Sequence, residues 1–235
     1  MKGTLLNTAT VAVGSFVGYE AGRFIPPSYG QVAITGLGLV VSMIGVRMFF
    51  QSKNPVISIA AIACGGVVGE VIGIAGGLTH FAEFVRATVG GGKSFNEGLI
   101  ASSVIFCVGP MTLLGCLQDA LEGNIQLLAV KSTLDGISSI FFAATLGAGV
   151  LASALVVLIV QGSITLAARP LRQFAQDEEL IAEATAVGGA LMLGIGLSVL
   201  EIKKIHTETY LPALLFAPLF CAAARRWTRK QEAPA

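Results

Sequence analysis

Lys131 and Asp135 are the residues whose types and spacing best suit chemistry in this sequence. They lie four positions apart, and from Gln126 to Ala168 they are the only charged residues. A helix would place both side chains on one face. At about 1.5 Å per helical residue, this apolar segment is long enough to cross a bilayer core of ~30 Å twice. A lysine and a carboxylate in such a segment could coordinate a cation, transfer a proton or pair with each other.

Other polar residues lie in or beside the apolar segments and need an explanation too. An unpaired charge near the bilayer centre costs at least ~2.5–3.5 kcal/mol, so such residues need partners or water. Gly109-Pro110 also frees backbone carbonyls, which is tolerable only against protein or a water-filled cavity. The predicted solute or ion pathway consists of Asn7, Gln118, Asp119, Lys131, Ser132, Asp135, Ser138, Ser139 and Gln161. In the alternative interpretation, Lys131 and Asp135 only neutralise each other.

The composition predicts a protein dissolved in lipid. Hydrophobic residues make up 54% of the chain and charged residues only 12%, with a mean hydropathy of +0.80. These values are too apolar for a soluble domain, so the lipid bilayer is the first expected partner. The 15 Lys and Arg residues against 14 Asp and Glu give a net charge of +1. Nucleic acid is therefore not expected to bind.

Eight apolar segments follow one another, and each approaches the ~20 residues that a transmembrane helix needs. They lie near residues 4–22, 31–50, 55–77, 98–117, 127–147, 148–168, 180–200 and 209–224. The break at 147–149 indicates a tight hairpin or a kink, and the loop at 78–97 indicates a short interfacial helix and a flexible linker. The predicted fold is an all-α, polytopic transmembrane bundle of about eight spans. It forms a single membrane domain over residues 1–235, with a short basic tail at 225–235.

Basic residues near the span ends predict the orientation. In the eight-span arrangement, one side of the membrane carries Lys2, Lys53, Arg169, Arg172, Arg225, Arg226, Arg229 and Lys230. The other side carries Arg23, Arg86, Lys93, Lys203 and Lys204. Because cytoplasmic loops carry the excess of Lys and Arg, both termini are predicted to be cytoplasmic. No small-x-small cleavage site follows the first segment, so that segment is predicted to be retained.

Glycine spacing predicts how the helices meet. Two series recur at every fourth position, one in the first segment and one in the third: Gly14, Gly18 and Gly22, and Gly65, Gly69, Gly73 and Gly77. Each series would make a stripe without side chains along which a second helix backbone can approach closely. Helix packing is the expected role, and the lining of a narrow pore is the alternative. A homo-oligomer would also be compatible with such faces.

A weak internal similarity relates two of the segments. Residues 35–45 resemble residues 185–195, and each stretch is followed by a short polar turn and another apolar segment. In the eight-span arrangement the two stretches cross the membrane in opposite directions. This would make the first three and last three spans an inverted repeat, as in many secondary transporters. Alternatively, helices rich in small residues resemble one another through composition alone.

Residues typical of enzymes and metal sites are sparse. The four cysteines lack CxxC spacing and read as small packing residues: Cys64, Cys107, Cys116 and Cys221. His80 and His206 are the only histidines, both fall in predicted loops, and no HExxH or serine–histidine arrangement is present. We therefore expect no enzymatic activity, no cofactor and no metal site.

Several of these stretches resemble a known family, the YdfK/YqgA group of bacterial inner-membrane proteins, a domain of unknown function. The resemblance covers almost the whole chain and is strongest from Phe106 to Thr165. It rests on residues 3–8, 106–109, 117–119, 131–139, 145–150, 161–165 and 211–215. The family often has glycine where this chain has Ala120. The resemblance implies a multi-pass protein of the bacterial inner membrane and implies no substrate.

Two functions remain open from the sequence. A small-solute or ion transporter or channel would use Asp119, Lys131, Asp135 and Gln161 as a polar intramembrane site. Two carboxylates against one lysine favour a cation or a proton there. A non-transporting membrane scaffold would instead use the glycine stripes and the basic tail to hold protein partners or anionic lipid.

Overall fold

The computed structural model describes residues 1–24, 26–89, 94–169 and 176–232, and every regular element in these ranges is helical. The predicted all-α class is thereby confirmed. The α-helices are α1 (Lys2–Gly22), α2 (Pro27–Phe49), α3 (Pro55–Ile72), α4 (Ile74–Val89), α5 (Phe95–Cys107), α6 (Pro110–Leu121), α7 (Gln126–Leu146), α8 (Ala148–Leu166), α9 (Glu178–Val199) and α10 (Ala213–Glu232). A short 3₁₀ helix, Thr207–Tyr210, precedes α10.

Local sequence explains where several helices begin and end. Pro27, Pro55 and Pro110 occupy the first turn of their helices, where the missing N–H has no intrahelical acceptor to lose. The side chain of Asp177 caps α9 by accepting hydrogen bonds from two backbone N–H groups. Gly73 ends α3 in the left-handed conformation at φ 74°.

Among the described residues, fewer segments are long and apolar enough to span a membrane than the eight predicted from the sequence. Within the described residues, five segments are long and apolar enough to cross a membrane, and the bent pair α5–α6 would make a sixth. The five are α3, α7, α8, α9 and the segment Thr207–Arg225. Neither α1 nor α2 is among them, so the count of eight stays a prediction.

Helices α1 and α7 pack in parallel along a glycine stripe. A Cβ atom at Gly14 would overlap the backbone oxygen of Gly136, and one at Gly18 would overlap that of Ile140. At Gly22 the Cβ would meet Ala144. Residue numbers rise together on both helices, so the two run in the same direction. The whole predicted stripe Gly14–Gly18–Gly22 therefore faces one neighbouring backbone.

Helices α2 and α9 pack antiparallel through a second set of glycines. Gly45 faces Gly189, and Gly38 faces Gly196, with backbone oxygens too close for an added Cβ. These helices contain the two similar stretches, which run in opposite directions as the repeat hypothesis requires. An antiparallel pair is also what close glycine packing alone would produce, so the inverted repeat stays a prediction.

The glycine series of the third segment divides into two parts. Gly65 lies against Ala213 at the start of α10, and Gly69 lies against the Thr209 carbonyl of the 3₁₀ helix. The structure differs from the prediction at Gly73 and Gly77. Gly73 terminates α3, Gly77 lies in α4, and among the described residues no atom comes within 4 Å of a Cβ added at either position. The stripe is shorter because the left-handed turn at Gly73 ends the helix.

The structure resolves the predicted break at 147–149. Gly147 has φ 79° and separates α7 from α8. Gly3 contacts Leu128, near the start of α7. Thr4 contacts Thr165, near the end of α8. Both ends therefore lie beside the start of α1, which makes the break a hairpin rather than a kink.

The predicted fourth span is bent, and the loop before it contains a helix, as the sequence indicates. α5 and α6 meet at a bend of 59°, where Gly109 adopts φ 147° ahead of Pro110. The predicted loop at 78–97 contains most of α4, a 16-residue helix. The expected glycine linker at 90–92 falls outside the described residues.

These contacts distinguish two faces of the bundle. α1 and α7 begin, and α8 ends, at what we call the N-terminal face. The α7–α8 hairpin lies at the opposite face, which we call the hairpin face; α5 begins there, because Gly98 packs on Leu146. Between the faces lies the largest hydrophobic core, which includes Val11, Phe106, Phe142, Val150 and Leu191.

Candidate functional site

A cluster of buried polar side chains from four helices lies near the N-terminal face. We call it the polar centre. α1, α6, α7 and α8 supply Thr4, Asn7, Asp119, Lys131, Asp135, Gln161 and Thr165, all of which are buried. It includes five of the residues predicted from sequence, and three of these are directly bonded to one another.

Lys131, Asp135 and Asn7 form the bonded part of the polar centre. The Lys131 ammonium lies 2.6 Å from Asp135 Oδ2. The Asn7 side-chain amide donates to the same oxygen at 3.0 Å. The lysine and aspartate side chains keep small exposed fractions, 8% and 10%. The predicted i, i+4 pair therefore exists, and a residue on α1 joins it.

Asp119 and the two threonines lie next to this group along the first turns of α1. Asp119 Oδ2 accepts from the Gly3 backbone N–H at 2.9 Å and lies 2.8 Å from the Met1 nitrogen. The hydroxyls of Thr4 and Thr165 are 3.1 Å apart. The Cys116 thiol is within hydrogen-bonding reach of both hydroxyls. A polar seam thus joins α1 to α6, α7 and α8.

Gln161 is the unusual member of the polar centre. Its side chain is wholly buried, yet neither its amide nitrogen nor its amide oxygen has a hydrogen-bond partner within the described chain. The Oδ1 atom of Asn7 is likewise buried without a partner there. Native proteins pair about nine in ten buried polar groups, and each unpaired one costs about 1–3 kcal/mol. These three atoms are therefore available to a ligand or to water.

The remaining predicted pathway residues are not hydrogen-bonded to these groups. Ser132 and Ser139 donate to carbonyls of their own helix, those of Leu128 and Gly136. Gln118 and Ser138 are only partly buried. In the described part of the chain, no hydrogen bond links any of the four to the polar centre.

Glu183 in α9 is a further buried carboxylate that sequence reasoning did not single out. Its side chain has 0% exposure. Its two oxygens accept four hydrogen bonds, from the Ser52 hydroxyl at 2.8 Å, the Lys53 and Asn54 backbone N–H groups at 2.8 Å, and the Ser58 hydroxyl at 2.6 Å. We call this arrangement the Glu183 clamp. It fixes the start of α3 to the start of α9.

A local signal for the clamp existed in the sequence. Asn54 is the N-cap residue of α3 and makes no side-chain capping bond. The backbone N–H groups of Lys53 and Asn54 precede the first helical turn, so they need an acceptor from elsewhere. Glu183 is the acidic residue that falls inside the predicted span 180–200, near its start. Sequence spacing could not pair two positions so far apart in the chain.

An ion-pair cluster lies beside the clamp at the ends of α9 and α10. The Arg225 guanidinium contacts Asp177 Oδ1 at 2.7 Å and, through Nε, Glu179 at 2.7 Å. The bond from Arg225 lowers the pKa of the Asp177 carboxyl below its ordinary value. The predicted basic tail therefore begins with a residue that is held against α9, and α10 continues through Glu232.

Two cavities lie elsewhere in the described structure, and neither is lined by the charged residues of the polar centre. One is apolar, has a volume of about 690 Å³ and lies between the α5–α6 bend, α9 and α10. The other has a lining of both polar and apolar side chains, has a volume of about 230 Å³ and lies where α9 ends and α5 begins. Within the described ranges, no group of three or more His, Cys, Asp or Glu side chains is arranged to hold a metal ion.

The fold and the polar centre define a class: a helical membrane protein that buries charged and amide side chains between its helices. The chain belongs to the family described as "Protein of unknown function (DUF554)", whose model matches residues 2–222. The predicted family is thereby confirmed.

Two curated relatives align over nearly their whole length. The "Uncharacterized membrane protein YdfK" of Bacillus subtilis (strain 168) is 35% identical over 223 residues, covering 93% of this chain and 95% of the relative. The "Uncharacterized protein YqgA" of Escherichia coli (strain K12) is 28% identical over 232 residues, covering 96% and 98%. No solved structure matches the chain.

Proposed function

We propose that this protein moves a small solute or an ion across the bacterial inner membrane, and that the polar centre is the site through which the ligand passes. The observation that carries the proposal is Gln161, whose amide is wholly buried and unpaired on both atoms. A purely structural amide would be replaced by an apolar side chain at a gain in stability. An amide that contacts a passing ligand accounts for that cost.

The chemistry of the polar centre suits a small ligand. Asn7 Oδ1, Gln161 Oε1 and the Asp135 carboxylate supply acceptors, while the Gln161 Nε2 group supplies a donor. Lys131 balances the charge of Asp135 until a ligand arrives. A cation or a proton that reaches Asp135 takes over the role of the lysine ammonium. Two conformations of the Lys131–Asp135 pair then alternate during transport.

Flux through reconstituted vesicles tests the proposal. Purified protein in vesicles that contain a pH-sensitive dye is given a potassium, sodium or ammonium gradient, and neutral solutes are followed by vesicle swelling. We expect wild-type protein to collapse at least one of these gradients, and Asp135→Asn to slow that collapse by at least tenfold. Asp177→Asn is the control, because Asp177 caps a helix outside the polar centre.

The absence of flux through wild-type protein would contradict the proposal. If vesicles with wild-type protein are no more permeable than protein-free vesicles to any tested cation or solute, then no ligand passes through the polar centre. A non-transporting scaffold then becomes the better account.

We also propose that both termini face the cytoplasm, on the basis of the basic residues near the span ends. Reporter fusions after Ala235 should then be active only with a cytoplasmic reporter. A fusion that is active only on the outer side of the membrane contradicts both this orientation and the even number of spans.

A further inference from the structure

The cavity of about 230 Å³ is a second candidate site, and none of its lining residues belongs to the polar centre. We call it the vestibule. It opens at the hairpin face, between the start of α5, the end of α9 and the turn that leads to the 3₁₀ helix. Its polar lining includes Asn96, Glu97, Lys204, His206, Thr207 and Glu208.

The charges of the vestibule favour a cation. Glu97 and Glu208 provide two carboxylates, against the single ammonium of Lys204. Glu208 has only 5% exposure, and its Oε1 atom lies 3.1 Å from His206 Nδ1. The side-chain oxygen of Asn96 is buried and has no partner among the described residues. Carboxylate and amide oxygens in a partly enclosed space attract a small cation.

Apolar side chains separate the vestibule from the polar centre. The vestibule is lined on its inner side by Ala101 and Ile195, which belong to the hydrophobic core. Deeper in the same core, the rings of Phe106 and Phe142 meet edge to face, with centroids 6.2 Å apart. Phe106 is wholly buried, and Phe142 has 5% exposure. Along the same helices, the buried hydroxyls of Ser102 on α5 and Ser139 on α7 donate to carbonyls of their own helices.

The two phenylalanines lie on helices that reach both sites. α5 runs from Asn96 and Ile100 at the vestibule to Cys107, whose thiol lies within electrostatic range of Lys131 and Asp135. Seven residues separate Ile100 from Cys107, or about 10 Å of helix. On α7, Asp135 precedes Phe142 by two turns, also about 10 Å. Hydrophobic constrictions close pathways to ions by excluding water.

We propose that the vestibule is the hairpin-face entry site for a small cation, and that the Phe106–Phe142 pair closes its path to the polar centre. The break at Gly109-Pro110 lies immediately beyond Phe106 and allows α5 to tilt without moving α6. This inference rests on the proposed transport function, because it assigns the second end of the same pathway.

The charge preference of the vestibule is measured with thiol reagents, which need no knowledge of the natural ligand. Ile100→Cys is introduced after the four native cysteines are replaced by alanine, and sealed vesicles are treated from the hairpin-face side. We expect the cationic methanethiosulfonate to react at least fivefold faster than the anionic one, relative to the ratio for a small free thiol. Glu97→Gln should reduce that preference. An anion preference, or no effect of Glu97→Gln, overturns the assignment of the entry site.

Closure is tested with Cys107 as the only cysteine. A charged reagent added from the hairpin-face side should modify Cys107 at least tenfold faster after Phe106→Ala or Phe142→Ala than in the parent. The matched control is Phe141→Ala, because Phe141 is 57% exposed on the outside of the bundle. Phe142→Leu provides a milder opening if either alanine variant fails to fold. Equal rates in folded Phe142→Leu, Phe141→Ala and the parent overturn the closure.

Failure of this inference and failure of the proposed function give different results. If wild-type vesicles conduct a cation but the vestibule shows neither charge preference nor closure, the pathway enters elsewhere and only this inference is wrong. If both thiol tests succeed in a protein that moves no ion or solute, the vestibule and its closure stand and transport is wrong.

Discussion

The polar centre and the Glu183 clamp both bury a carboxylate near the N-terminal face, but they differ in how completely its surroundings are hydrogen-bonded. Glu183 accepts four bonds at 2.6–2.8 Å from a loop and a helix start. In the polar centre, Asp135 is paired with Lys131 and Asn7, while three amide atoms nearby have no partner within the described chain. Both sites contain buried charge, so burial alone does not indicate function. The proposed function rests instead on the unpaired amide atoms of the polar centre.

The energetic reason lies in the cost of desolvation. A buried carboxylate that is matched by donors stabilises the helices supplying them, because breaking the set leaves several polar groups unpaired. A buried amide without a partner lowers stability and brings nothing to the folded state. The clamp therefore has the properties of a structural element, whereas the unpaired amides of the polar centre are consistent with the proposed transport site.

The largest predicted effect is on the clamp. Glu183→Ala leaves the Lys53 and Asn54 N–H groups and two serine hydroxyls without their acceptor. We expect it to destabilise the protein by about 4 kcal/mol or more. Thermal unfolding in detergent, followed by the loss of monodisperse protein on size-exclusion chromatography, measures the change. Glu183→Gln, which keeps the shape and one acceptor oxygen, should lose less.

The clamp would lose its structural interpretation under one outcome. If Glu183→Ala unfolds at the wild-type temperature but loses flux, Glu183 belongs to the pathway, and the contrast between the two sites disappears.

The next effect concerns the charge pair of the polar centre. Lys131→Met leaves Asp135 buried without its cation and should cost about 3 kcal/mol. The double variant Lys131→Met with Asp135→Asn removes both charges and should recover much of that loss, because the two residues are in contact. Flux should be lost in both. A stable double variant with full flux would show that Lys131 and Asp135 only neutralise each other.

Parts of the fold could be predicted from sequence because lipid imposes strict rules on length and backbone pairing. The α7–α8 segments and the packing of Gly14, Gly18 and Gly22 follow from hydrophobic length and four-residue spacing. The end of α3 at Gly73 does not, since the same glycine can continue a packing stripe or adopt a left-handed turn. Only the packing around it decides between these conformations.

The candidate site was predictable to a similar degree. Lys131 and Asp135 are conspicuous because their charges interrupt an apolar segment. Glu183 is one acid near a span end, and its donors come from a loop more than a hundred residues earlier. Its role depends on tertiary contact, which sequence spacing cannot give. The vestibule could not be predicted for the same reason, because its lining comes from three separate parts of the chain.

The smallest predicted effect tests the ion pairs beside the clamp. Arg225 lowers the pKa of Asp177, so this bond adds stability above the ordinary carboxyl pKa, and that stability is lost as the pH falls through the lowered value. Asp177→Asn should cost less than about 1 kcal/mol near neutral pH, since the pair is partly exposed. The difference from wild type should vanish in strong acid. Melting curves at several pH values measure it, and a difference that grows with acid contradicts the assignment.

The most direct test of the contrast between the two sites is Gln161→Leu, measured for thermal stability and for flux in the same preparation. The change removes two unpaired amide atoms from the polar centre and puts an apolar side chain of similar size in their place. We expect the variant to be as stable as wild type or up to about 2 kcal/mol more stable, with flux reduced at least tenfold. A variant that is strongly destabilised while its folded fraction keeps full flux would contradict it, because Gln161 would then be structural.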